Sequence, residues 1–144
     1  MNPFPYPILF DVVPLGKPRM TQRDKWKKRP PVIRYHAFKD KCRKIVDRTP
    51  GLRDYLASGS VVDVSWVAYL PIPKSWSKKK KAEMAGRIHR AKPDRDNIDK
   101  AILDTLFIED SGIGCGILTK RWDDGQGPRL EITLDEESEE LALK

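Results

Sequence analysis

A chain of 144 residues with 39% hydrophobic side chains is long enough for one core and too short for two full domains. Its 28 Lys and Arg outweigh 21 Asp and Glu for a formal charge of +7, and residues 1–134 alone carry +11, from 27 basic and 16 acidic side chains. Such a polycation favours a polyanionic partner over a neutral small molecule, and two unpaired-looking cysteines with two histidines argue against a zinc site.

In chain order, Ile8 to Val13 is a short apolar run closed by Pro14 and Gly16, the pattern of a strand. Lys17 to Arg34 then carries eight basic residues and one acid between prolines, and regular structure is not expected there. As a functional arm, Lys17, Arg19, Arg23, Lys25, Lys27 and Lys28 would contact phosphates while Trp26 stacks on a base; the plainer alternative is a solvated loop. Tyr35, Phe38, Cys42, Ile45 and Val46 recur at spacings of three and four and predict a helix over 36–48, with Lys39, Lys41, Arg43, Lys44 and Arg48 outside and His36 near its start. Val61 to Leu70 is the clearest strand, with Val62, Val64, Trp66, Ala68 and Leu70 on one face and Asp63 and Ser65 on the other. Ser77 is a candidate N-cap for a helix reaching about His89, and Lys78, Lys79, Lys80 and Lys81 oppose its dipole, which points to a use other than helix stability: a phosphate-grasping loop or, equally, a merely solvated face. Two further strands, 113–122 and 129–134, flank Asp123-Asp124-Gly125-Gln126-Gly127-Pro128, turn chemistry that predicts an antiparallel hairpin. Residues 1–134 are thus expected to form the domain and 135–144 a flexible acidic tail. No leader, membrane-spanning run or lipidation motif is legible, so a cytoplasmic location is expected, with Cys42 and Cys115 as reduced core hydrophobes and no membrane partner.

The acidic exception to this basic chain lies in Lys92 to Asp110, which holds six carboxylates. Pro93 halts any preceding helix, and Ile98, Ala101, Ile102, Thr105 and Leu106 mark the apolar face of a new one. Asp96 and Lys100 share the opposite face, and Asp94 stands at the helix start, where free N–H groups and the dipole tolerate negative charge. One N-cap and one i,i+4 ion pair would account for part of this set. They leave unexplained a second carboxylate two residues away and the Glu109-Asp110 pair beyond the helix. Carboxylates converging from two segments suit Mg²⁺, which takes a few acidic oxygens and completes its shell with water and phosphate. The expectation is a metal-dependent phosphodiesterase site, with no organic cofactor.

Lys-Pro-Asp-Arg-Asp-Asn-Ile-Asp-Lys-Ala-Ile-Leu-Asp-Thr-Leu, residues 92–106, resembles the signature of the RusA family of Holliday-junction resolvases. Gly16-Lys17-Pro18-Arg19, Asp110-Ser111 and Lys120-Arg121-Trp122 also suit that family, whose members are encoded largely by phages and prophages. The resemblance implies a single small α+β (α/β) domain, with a mixed sheet of about four strands and helices packed on it. It also implies a homodimer that resolves four-way DNA junctions by paired symmetric nicks in recombination and repair, using Mg²⁺ with Mn²⁺ as a substitute, inside a bacterial cell. Carried over residue by residue, Asp94 and Asp96 match the two motif carboxylates, Lys100 the catalytic lysine and Asp110 the third carboxylate. Phe107-Ile108 replaces a longer connection common in the family, so Glu109 stands as the alternative to Asp110 as a metal ligand. A structure-selective nuclease on branched or flap DNA, and a non-catalytic nucleic-acid-binding module, are the competing readings.

Overall fold

The computed structural model describes residues 2–21 and 29–137. Strands Ile8–Phe10 (β1), Val61–Leu70 (β2), Leu118–Trp122 (β3) and Arg129–Glu136 (β4) form one sheet. The helices are Pro30–Arg48 (α1), Leu52–Ala57 (α2), Lys78–Met84 (α3) and Arg95–Leu106 (α4). The sheet order is β1-β4-β2-β3; β4 pairs antiparallel with both β1 and β2, and β3 runs parallel to β2. This is the expected small α+β fold with a mixed sheet. No described helix is long and apolar enough to cross a membrane.

The core forms where one face of the sheet meets α1 and α4. β2 contributes Val64, Trp66, Ala68 and Leu70, and β4 contributes Leu130, Ile132 and Leu134. Tyr35, Phe38, Cys42 and Val46 come from α1, and Ile98, Ala101 and Ile102 from α4. Each large aliphatic side chain buried here contributes about 1.5–3 kcal/mol. Burial pushes the Cys42 thiol up to about 12, so it packs as an inert hydrophobe.

Several elements differ from expectation for identifiable reasons. α1 begins at Pro30, six residues early, because two prolines at its first positions remove N–H groups that would have no helical partner anyway. His36 therefore lies well inside the helix, and the charged face has one exception, Lys39, which is drawn into an ion pair with Asp104. A register shift between Val61 and Asp63 turns Val61 inward in place of Val62. β1 stops at Phe10, where the Val12 N–H donates back to the Phe10 carbonyl. Cys115 is exposed, unlike Cys42.

The predicted hairpin does not form, because β2 lies between β3 and β4. The connection at 123–128 instead crosses the end of β2, where the Asp123 N–H donates to the Leu70 carbonyl at 2.8 Å. Buried Arg129 secures that crossing: it donates to both Asp124 oxygens, at 3.0 and 3.1 Å, and to Glu131, and its guanidinium stacks on Tyr69. β3 is shorter than predicted, since the glycine-rich stretch before it bonds to β2 without forming a regular strand. Gly116 has to be glycine for packing: a Cβ there would lie 2.1 Å from the Val64 carbonyl oxygen.

α3 ends at Met84, short of His89, because the next residues have another use. Gly86 to His89 runs antiparallel along the outer edge of β3, through Gly86 N–H to Trp122 O, Trp122 N–H to Arg87 O and His89 N–H to Lys120 O. The outer edge of β3 is thereby covered, and the chain is delivered to the start of α4.

Candidate active site

α4 is the element that presents the acidic motif. Its apolar face, Ile98, Ala101 and Ile102, is fully buried, which forces Asp96 and Lys100 outward. Asp94 occupies the N-cap position with extended backbone, and its carbonyl accepts the Asn97 and Ile98 N–H groups. Its carboxylate makes no capping bond to the helix. That oxygen pair reaches outward instead, and Oδ2 accepts from Lys92 Nζ at 2.9 Å. The hydrogen bond from Lys92 holds the Asp94 carboxyl below its usual range, so it is ionised at neutral pH.

Asp96 and Lys100 form a 3.9 Å ion pair one turn along, with side chains 73% and 64% exposed. At such exposure the pair contributes a few tenths of a kcal/mol and leaves both groups accessible. Two carboxylates and an ammonium therefore stand open at one helix start, where the dipole stabilises the acids.

The chain around this point is held closely. Gly16 sits against Pro93 and Asn97, where a Cβ would come within 3.2 Å of the Cβ of each, and the Lys17 N–H donates to the Asn97 carbonyl. On the other side Lys120 Nζ donates to the Ala91 and Pro93 carbonyls, both at 2.7 Å. His89 is 4% exposed and packs on Trp122, with ring centroids 4.1 Å apart. Burial, then the Lys120 charge, lowers its pKa and keeps it neutral.

Glu109 and Asp110 lie beyond the opposite end of α4. The helix rise puts about 15 Å along the axis between Asp96 and Leu106. Glu109 Oε1 accepts the Ser111 N–H at 3.0 Å, which lowers its pKa, and the Asp110 carbonyl accepts from Ile113. Among the described residues, no three His, Cys, Asp or Glu side chains are grouped closely enough to hold a metal ion. The donors still fit a hard cation, because Mg²⁺ is commonly held by one or two carboxylates with water and phosphate filling its shell, and Asp94 and Asp96 are exposed oxygen donors. A cleft of about 650 Å³ is lined by Arg43, Val46, Leu56, Phe107 and Ile113 with Glu109 beside them, and Asp94, Asp96 and Lys100 are not in its wall.

Of the predicted basic contacts, Lys78 to Lys81 form the first turn of α3, with the Ser77 hydroxyl accepting the Lys80 N–H as an N-cap. Lys80 lies over the Trp76 ring at 4.2 Å, and Trp76 in turn packs on Trp122. Lys17 is half committed, 3.7 Å from Asp104, and Arg19 is exposed. Arg23, Lys25, Trp26, Lys27 and Lys28 lie outside the described residues.

The family model for the endodeoxyribonuclease RusA matches residues 10–135. The chain belongs to the RusA endodeoxyribonuclease family. The match spans the motif helix, the glycine at 16 and the Lys120 strand alike, so the RusA domain and the described fold coincide almost end to end. No curated protein matches the chain closely enough to count as similar.

Sequence reasoning passed over the residues that support this candidate site in the RusA-family chain. Lys120 was legible only as part of Lys120-Arg121-Trp122, a stretch that suits the family, and His89 as the end of a helix. Asp99 accepts the indole N–H of buried Trp66 at 2.9 Å and so ties α4 to β2.

Proposed function

We propose that this chain is an endonuclease that resolves four-way DNA junctions, dependent on Mg²⁺ or Mn²⁺. The observation that carries the proposal is the open helix start, where Asp94 and Asp96 stand exposed beside Lys100 in a chain of net positive charge and RusA family membership. A chain that only bound DNA would gain nothing from ionised carboxylates facing a phosphate backbone. Asp94 and Asp96 would hold the cation; Asp110, or Glu109 in its place, matches the third carboxylate by family resemblance alone and stands beyond the far end of α4. When bound, the cation would supply charge neutralisation at the phosphate and an activated water. Lys100 carries the remaining positive charge toward a phosphate oxygen, and Lys78 to Lys81 with Lys17 and Arg19 grip the neighbouring backbone. A homodimer would match the two-fold symmetry of a four-way junction and make two opposed nicks.

The test is cleavage of a fixed junction, a mobile junction, a flap and linear duplex in Mg²⁺, each labelled on every strand. Paired nicks at symmetric positions in the junctions, with linear duplex spared, are expected. Equal cutting of flaps would indicate a broader structure-selective nuclease, and binding with no cutting of any substrate would reduce the chain to a binding module.

A further inference from the structure

The residues just before Asp94 have little structure of their own: 90–93 belong to neither helix nor strand, and Ala91 and Lys92 are exposed. Yet the position of the Asp94 carboxylate depends on where this stretch runs. Lys120 on β3 is bonded to it twice over by its ammonium, to Ala91 O and Pro93 O at 2.7 Å each, and its own carbonyl accepts the His89 N–H at 3.0 Å. Opposite Lys120 in the parallel pair is Ala68, which is fully buried, so the lysine backbone is fixed in the sheet. A lysine has three donors and no acceptor, which suits bridging two carbonyls that neither helix nor sheet satisfies.

We infer that Lys120 is a positioning residue that straps the 90–93 segment to the sheet and so sets where Asp94 stands relative to Asp96 and Lys100. This rests on the nuclease reading of those three residues. The strap works against the close packing of Gly16 on Pro93 and Asn97, so the helix start is held from two sides. Without it, α4 keeps its buried face and the carboxylate loses its fixed place. The effect belongs in the rate of cleavage, not in the grip on DNA.

The experiment compares wild type, Lys120→Met and Lys120→Arg in three measurements. These are junction affinity in EDTA, single-turnover cleavage in Mg²⁺, and amide hydrogen exchange. For Lys120→Met we expect affinity within about threefold of wild type, cleavage slower by about tenfold or more, and faster exchange at Asn97 and Ile98 with β2 and β4 unchanged. Lys120→Arg, which can still bridge carbonyls, should recover part of both losses. Wild-type cleavage and exchange in Lys120→Met would overturn the inference. So would a loss of binding in step with cleavage, which would make Lys120 a DNA contact, or faster exchange throughout the sheet, which would make it a general stabiliser. If wild type cuts no junction, the nuclease reading falls by itself, and the exchange at Asn97 and Ile98 still decides whether the strap exists.

Discussion

The two ends of α4 carry acids of opposite character. At the far end Asp104 accepts from the Tyr35 hydroxyl and from Lys39 Nζ at 2.9 Å, with Lys17 at 3.7 Å. Burial alone would raise its pKa, but those donors outweigh it and lower it. Near the start, the ion-pair partners of Asp94 and Asp96 among the described residues are the exposed lysines Lys92 and Lys100. One acid is consumed in joining α4 to α1, and the others are left available. Carboxylates of one helix can therefore be sorted into structural and chemical roles by asking whether their partners are themselves buried, since Tyr35 is 1% exposed and the Lys39 side chain 15%.

Substitutions can break or sharpen that contrast. The largest effect is expected from Lys100→Ala: a loss of about a hundredfold or more in junction cleavage, read under single-turnover conditions, with an unchanged melting curve because the ion pair it removes is exposed. A melting temperature that falls along with activity would move Lys100 into the structural group. Next, Asp104→Ala should cost about 1–2 kcal/mol in chemical denaturation, since it strands the buried Tyr35 hydroxyl and the largely buried Lys39. Unchanged stability would mean that the far end of the helix is no more anchored than its start.

A smaller effect separates the two ends by pH. The folded pKa of Asp104 lies below its unfolded value, so its contribution is present above about pH 4 and is lost as pH falls through the folded pKa. The stability gap between wild type and Asp104→Asn should thus be open at pH 6 and narrow progressively as pH falls through and below the ordinary carboxylate range. A gap that persists in acid would assign the effect to shape and not to charge.

How far the sequence foretold this structure depends on the range of the interactions involved. The period of α4 and the alternation in β2 are local, and both elements stand where the pattern put them. The β3–β4 hairpin failed because turn chemistry at 123–128 is also local, whereas the choice of neighbour was made by β2, more than fifty residues earlier. α2 was passed over since Pro50-Gly51 reads as a stop and six residues carry too little periodicity to announce a restart. In the site, Asp94, Asp96 and Lys100 were legible because a helix groups residues at fixed spacing. The bonds of Lys120 to Ala91 and Pro93 span 29 and 27 residues, and no pattern in the chain encodes them.

The central claim is that the chemistry belongs to the start of α4. It is tested most directly by following Mg²⁺-dependent cleavage of a four-way junction by Asp96→Asn and Asp104→Asn side by side, with junction binding measured for both. Asp96→Asn should bind and fail to cut, and Asp104→Asn should cut at close to the wild-type rate wherever it is folded. Cleavage by Asp96→Asn at the wild-type rate would contradict the account.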